Sequence, residues 1–409
     1  MDTTLSRRTL VASMPVLAAG LTLCLTTRNA AAQGATPAAS PAGDGDLESR
    51  LRPLIEPLMK EMLVPGAVVL ARTPNEEFFA AFGTRVLGEN IPVTTDDHFR
   101  IGSNTKTMTG TAILQLVQDG LISLTDPVSK YRPDVPNGDN ILISMLLDMS
   151  SGLANYSVQL DLNRLMDDEP GRNWTPEELV AIGLAEPPAF APGQGYLYSN
   201  TNTVLLGLIV EKLTGKMLAA VFTERIFTPL GLTHTIFPGI DDTTIPDPHP
   251  QGYGFGTNVS TIATSILPEY QQAEAAAGTL KPNDWTDLNP SWAWAAGAAS
   301  STASDLATYV EALVGGGLLN DELQATRLAS LKPSSDAPGA ASYGLALAQF
   351  GPMIGHDGTL PGFQSFMGHD PATGNTLIVF SSMQISPDGR SPANEIARPL
   401  IGALASLGA

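Results

Sequence analysis

The sequence predicts an α+β fold in which a sheet is assembled from the two ends of the chain body and interrupted by a mainly helical insertion. Two observations carry this. Short apolar runs bounded by turn residues occur at 66–82 and again at about 342–382, whereas apolar residues at helical spacing dominate about 106–294. The hydrophobic content of 43% with 15% charged residues describes a globular chain, and no internal repeat is present. An α/β-hydrolase is disfavoured because no Gly-x-Ser-x-Gly pentapeptide occurs.

Residues 1–32 have the form of an export signal. Arg7 and Arg8 precede an apolar run over 11–25, and Ala30, Ala31 and Ala32 place small residues at both positions of a cleavage site. The run is shorter than the roughly 20 residues that span a bilayer and contains Pro15, so no stable membrane span is expected. The paired arginines after Ser6 resemble a twin-arginine signal, and the expected location is extracellular or in the cell envelope. Cys24, the single cysteine, lies in this leader behind Leu23, so neither a lipid anchor nor a disulfide is expected. Residues 33–46 are rich in Ala, Pro, Gly and Ser and predict a flexible linker.

Within the body (47–409), residues 47–63 show helical spacing that Pro53 and Pro57 should kink or split. Residues 66–72 and 77–82 read as a hairpin, opening a sheet region of about 47–105 that resumes at about 295–409. Helices are expected at 105–119, stopped by Gly120, and at 176–184, 201–213 and 303–314. Strands follow near 342–348, 352–357, 363–369 and 375–382, then a last helix towards 408.

The 22 basic and 41 acidic residues give a net charge of -19, which would repel a phosphate backbone, so nucleic acid is not expected as a partner. The five histidines are scattered without metal-ligand spacing, so no metal or other cofactor is expected.

Three short motifs carry chemistry. In Ser103-Asn104-Thr105-Lys106, a serine and a lysine three apart at a helix start share a face, so the amine can reach the hydroxyl and accept its proton if burial lowers its pKa. In Tyr198-Ser199-Asn200, extended geometry would place the phenol and the amide on one side, where a phenol can relay a proton and an amide can bridge lysine and substrate. In His356-Asp357-Gly358-Thr359, alternation puts His356 and Gly358 on one strand face, with glycine letting a substrate backbone approach, and turns Asp357 away towards solvent.

This trio, in this order, resembles the active-site pattern of the penicillin-recognising serine hydrolases: D,D-peptidases, serine β-lactamases and their esterase relatives. Leu146–Leu153 (Leu-Leu-Asp-Met-Ser-Ser-Gly-Leu), Lys212-Leu213-Thr214-Gly215, Pro229-Leu230-Gly231-Leu232 and Ser301–Leu306 resemble further stretches of that family, covering nearly all of 47–409. The resemblance implies a β-lactamase/transpeptidase-like fold whose antiparallel sheet is flanked by helices. It implies Ser103 as acylated nucleophile, Lys106 and Tyr198 as base and acid pair, and Asn200, His356 and Gly358 as substrate-orienting. The backbone N–H groups of Ser103 and Thr359 would form the oxyanion hole. The expected activity is that of a D-alanyl-D-alanine carboxypeptidase-like or related D-peptidase. A β-lactamase-fold esterase, a serine β-lactamase and a non-catalytic sensor of β-lactams or cell-wall fragments are the alternatives.

Two departures matter. Asp357 stands where relatives that bind a substrate carboxylate often have Thr or Ser. His356 replaces the lysine of many relatives, so a pH dependence of activity from the imidazole is expected. Tyr253, Trp285, Trp292 and Trp294 are equally suited to line an acyl pocket or to pack in loops.

Overall fold

A computed structural model describes residues 46–335, 337 and 340–407; the leader with Cys24 and the linker residues 33–45 lie outside the described residues. The first helix, Leu47–Glu61, runs through both prolines as one element, so the split expected there does not occur. Its buried stripe is Leu47, Leu51, Ile55 and Met59, four residues apart, while Pro53 and Pro57 lie on the exposed face. The carbonyls four residues earlier, at Ser49 and Pro53, belong to exposed residues where water can replace the missing N–H donor. Asp46 caps the helix by accepting from the Ser49 N–H at 2.9 Å.

Among the described residues an eight-stranded antiparallel sheet runs in the order Glu77–Gly83, Gly66–Arg72, Asn375–Ser381, Phe363–Asp370, Met353–Leu360, Ala348–Phe350, Ser342–Tyr343, Lys332–Pro333. The first hairpin therefore pairs directly with the last strand, with Val69 opposite Val379, as a sheet built from both ends requires. Gly66–Arg72 is buried on both faces: Val68 and Leu70 join the core shared with the helical region, while Ala67, Val69 and Ala71 join a second core. That second core is closed by Leu47–Glu61 and Pro392–Ala405, which pack against each other. The opposite face is covered by Ala303–Gly315 and the helical region.

The helices at Thr105–Gln118, Pro176–Leu184, Asn200–Thr214 and Ala303–Gly315 match the expected segments, and Gly120 takes the left-handed conformation at φ 73°. The expected strand near 342–348 is instead two short strands separated by a turn in which Ala346 has φ 51°. Tertiary partners pull this stretch off the ladder. The Ala346 N–H donates to the Leu147 carbonyl, and the buried Arg327 guanidinium donates to the carbonyls of Leu345 and Ala346.

Met353–Leu360 pairs with Phe363–Asp370 from Ile354 to Leu360, but with Ala348–Phe350 only at Met353, Ile354 and Gly355. From His356 onward its second edge is open. Among the described residues no helix is long and apolar enough to cross a membrane.

Candidate active site

The open edge of Met353–Leu360 is met by the tight turn Gly102–Asn104 that leads into Thr105–Gln118. A Cβ on Gly102, whose φ is 53°, would lie 2.6 Å from the Thr359 nitrogen, and one on Gly358 would lie 2.0 Å from the Ile101 carbonyl oxygen and 2.6 Å from Ser365 Oγ. Gly358 is thus needed for the chain's own close approach. Asn104 locks the turn by donating to the Ile101 carbonyl at 2.9 Å and to Ser365 Oγ at 2.7 Å. This contact places the turn that carries Ser103 beside the Thr359 backbone, on the edge that Ala348–Phe350 leaves open.

Lys106 is fully buried, with Nζ 2.9 Å from Ser103 Oγ and donating to the Ala296 carbonyl at 2.7 Å. Burial lowers its pKa to about 7, opposed by the charge of Asp357. Near neutrality a large share of this lysine is a free amine able to accept the Ser103 proton. Lys106 Nζ lies 4.9 Å from the centroid of the Tyr198 ring, which puts the phenol beside the Ser103–Lys106 pair. Burial pushes the phenol well above its ordinary range, so Tyr198 keeps its proton.

Asn200 departs from the expected arrangement. It is the first residue of Asn200–Thr214, so the two-residue alternation of an extended chain ends at Ser199. Its Nδ2 donates to Ser157 Oγ at 2.8 Å and its backbone N–H to Asn155 Oδ1 at 3.1 Å, whereas Lys106 bonds to Ser103 and Ala296. The Asn200 Oδ1 is left buried without a donor, the one atom of this amide free to accept.

His356 is buried, 2% exposed. Its Nδ1 lies 2.6 Å from the Asp357 carbonyl, which can only accept, so Nδ1 carries the proton and Nε2 accepts from the Tyr343 hydroxyl at 3.2 Å. Burial lowers its pKa to about 4, partly offset by Asp357. The imidazole is therefore neutral across the neutral range, and the expected pH dependence from His356 is replaced by a fixed neutral tautomer.

Asp357 is not turned out to solvent as expected. Its side chain is 21% exposed, with Oδ1 3.6 Å from His356 Nδ1 and Oδ2 accepting from Asn394 Nδ2 at 2.9 Å. Asn394 belongs to Pro392–Ala405, a helix that covers the sheet beneath this strand, so alternation turned Asp357 towards a packed element rather than towards water.

The aromatic wall of the site adds two residues absent from the sequence reading, Tyr196 and Tyr343. Tyr198, Tyr343 and His356 have ring centroids 5.6–6.1 Å apart, and Tyr196 stands 6.0 Å from Tyr343. Tyr196 was discoverable, because alternation places it with Tyr198; Tyr343 comes from a distant strand and has no local signal. The loop aromatics belong to the cores instead. Tyr253 packs in the terminal-helix core, Trp294 in the main core, and Trp285 and Trp292 against it. Among the described residues no group of three or more His, Cys, Asp or Glu could hold a metal ion.

A family model described as Beta-lactamase matches residues 51–399. The chain belongs to the β-lactamase family. Members of this family are serine hydrolases, among them amidases, peptidases and esterases. The expected resemblance and the expected fold are thereby shown. The D-stereospecific amidohydrolase from Streptomyces sp. is 28% identical, with TM-score 0.72 over 86% of this chain and 97% of that one. The D-amino acid amidase from Ochrobactrum anthropi SV3, complexed with L-phenylalanine, is 26% identical with TM-score 0.73 over 88% and 100%. Protein flp from Staphylococcus aureus (strain COL) is 30% identical over 203 residues, 47% of this chain. The chain spans 39% of the length of that curated relative.

Proposed function

We propose that this protein is an exported serine hydrolase that cleaves peptides or amides of D-amino acids through an ester on Ser103. The observation that carries the chemistry is the buried Lys106 amine 2.9 Å from Ser103 Oγ, with its pKa lowered to about 7. In the acylation step the Ser103 hydroxyl gives its proton to Lys106 Nζ as Oγ attacks the acyl carbon. The oxyanion is received by the Ser103 and Thr359 backbone N–H groups at the open strand edge. Tyr198, protonated and beside the Ser103–Lys106 pair, passes a proton to the leaving nitrogen and recovers one from Lys106. Water then attacks the ester with the same groups working in the opposite sense, which frees the acid and restores Ser103.

The substrate class is supported by the two solved structures named above, one described as a D-stereospecific amidohydrolase and the other as a D-amino acid amidase, both covered almost entirely by this chain. The D-alanyl-D-alanine carboxypeptidase-like activity expected from the sequence falls within it. The test is turnover of D-Ala-D-Ala peptides and D-amino-acid amides, with peptide mapping by mass after rapid quench. An acyl adduct on Ser103 that Ser103→Ala lacks is the expected result, and unchanged turnover by Ser103→Ala would refute the reading. Export is supported by the leader pattern of residues 1–32; secreted protein starting at or near Gln33 is its expected product.

A further inference from the structure

We infer that Asp357 makes the site select substrates that carry an ammonium group near the scissile bond and reject those that carry a carboxylate there. This rests on the serine-hydrolase reading above and names the charge class of its substrate.

The argument begins with what surrounds the carboxylate. Among the described residues no lysine or arginine forms an ion pair with Asp357; its ionisable contact is His356. The charged and titratable groups that feel it are Lys106 from Thr105–Gln118, His356 on its own strand, Tyr196 and Tyr198 ahead of Asn200–Thr214, and Tyr343 on the neighbouring short strand. Burial holds the three phenols in their neutral form, holds His356 neutral above about 4, and leaves Lys106 largely an amine above about 7.

Slightly above neutral pH, then, Asp357 stands beside Lys106 and His356 as a carboxylate with no lysine or arginine paired to it among the described residues; the other charges felt along the wall are Asp148, also negative, near Tyr196 and the buried Arg327 near Tyr343. Asn394 satisfies one oxygen and neutralises nothing, and its own Oδ1 is buried without a donor. A carboxylate brought to this edge meets repulsion in a partly desolvated cleft. An ammonium meets a charge-assisted acceptor that is already oriented.

Three substrates that share the D-Ala–D-Ala peptide bond test this, with release of the C-terminal unit by cleavage of that bond as the readout: D-Ala-D-Ala-amide (ammonium), N-acetyl-D-Ala-D-Ala-amide (neutral) and N-acetyl-D-Ala-D-Ala (carboxylate). The wild type at about pH 8 is expected to show kcat/KM falling in that order, by roughly 10- to 100-fold between the charged extremes. For the ammonium substrate, KM should rise as its amine loses its proton above about pH 8, a limb absent for the neutral one. In Asp357→Asn, whose amide oxygen can still accept from Asn394, the ratio of ammonium to carboxylate turnover should collapse by a similar factor. The wild-type comparison needs no variant to fold. Ser103-dependent turnover in which the carboxylate peptide equals or exceeds the ammonium one overturns the inference, as does an unchanged ratio in Asp357→Asn. Absence of Ser103-dependent turnover of all three would instead overturn the hydrolase reading on which it stands.

Discussion

Replacing Lys106 by Met should abolish turnover and at the same time stabilise the fold, by an amount that depends on pH. The drop of the lysine pKa from 10.5 to about 7 corresponds to about 5 kcal/mol of penalty for holding the charged form in its buried site. The folded-state pKa lies below the unfolded one, so between the two the unfolded chain binds more protons and wild-type stability rises with pH. At about pH 6 both states are protonated and the full penalty acts. At about pH 9 the native lysine is neutral, and the remaining cost is that of deprotonating the unfolded side chain, about 2 kcal/mol. Met has the length to fill the channel and no charge, but it leaves the Ala296 carbonyl without its 2.7 Å donor, a loss of about 1–3 kcal/mol at either pH. The stability gained by Lys106→Met should therefore be about 3 kcal/mol larger at about pH 6 than at about pH 9. Urea unfolding at the two pH values measures it, and wild-type kcat/KM should rise with pH through about 7 as the amine forms. A gain that is the same at both pH values would refute the reasoning, because the charge of Lys106 would then not be what the site disfavours.

Tyr198→Phe should lower kcat/KM by about 10²- to 10⁴-fold while keeping the acid limb near 7, since the proton relay is lost and the base is not; a displaced limb would reassign the ionisation. His356→Gln should flatten the acid side of the stability profile. The wild-type histidine has its folded pKa depressed from 6.5 to about 4, so it lowers stability as pH falls through that window, by about 3 kcal/mol in all. Equal pH slopes for wild type and variant in urea unfolding would show that His356 is not held neutral. Gly358→Ala should cost about 3 kcal/mol and most of the activity, because the new Cβ would sit 2.0 Å from the Ile101 carbonyl and push the Ser103 turn off the strand. A melting temperature within about 1 °C of wild type would contradict that contact.

Local signals carried most of the elements. The 3.6-residue spacing of Thr105–Gln118 and its terminating Gly120, the hairpin at 66–83 and the last strands were legible because each depends on its own residues. Two elements resisted for opposite reasons. Leu47–Glu61 tolerates Pro53 and Pro57 because both fall on the exposed face, which depends on what the helix packs against. The stretch at 342–348 breaks because Leu147 and Arg327, remote in sequence, claim its backbone groups. The loop tryptophans went the same way: their aromatic surface suits a pocket or a core equally, and neighbours decide.

For the site, the sequence by itself determined the Ser103–Lys106 pair, because three residues at a helix start impose their own geometry. It also determined the order of the three motifs. Only the tertiary structure decided the protonation states, since a pKa depends on burial and on groups from other elements. Lys106 is an amine near neutrality because Ala296, Tyr198 and the core exclude water from it. His356 is neutral because Tyr343 and the Asp357 carbonyl hold its two nitrogens in a buried place. Asp357 meets no lysine or arginine among the described residues, a property of the whole fold that no stretch of residues 353–360 contains.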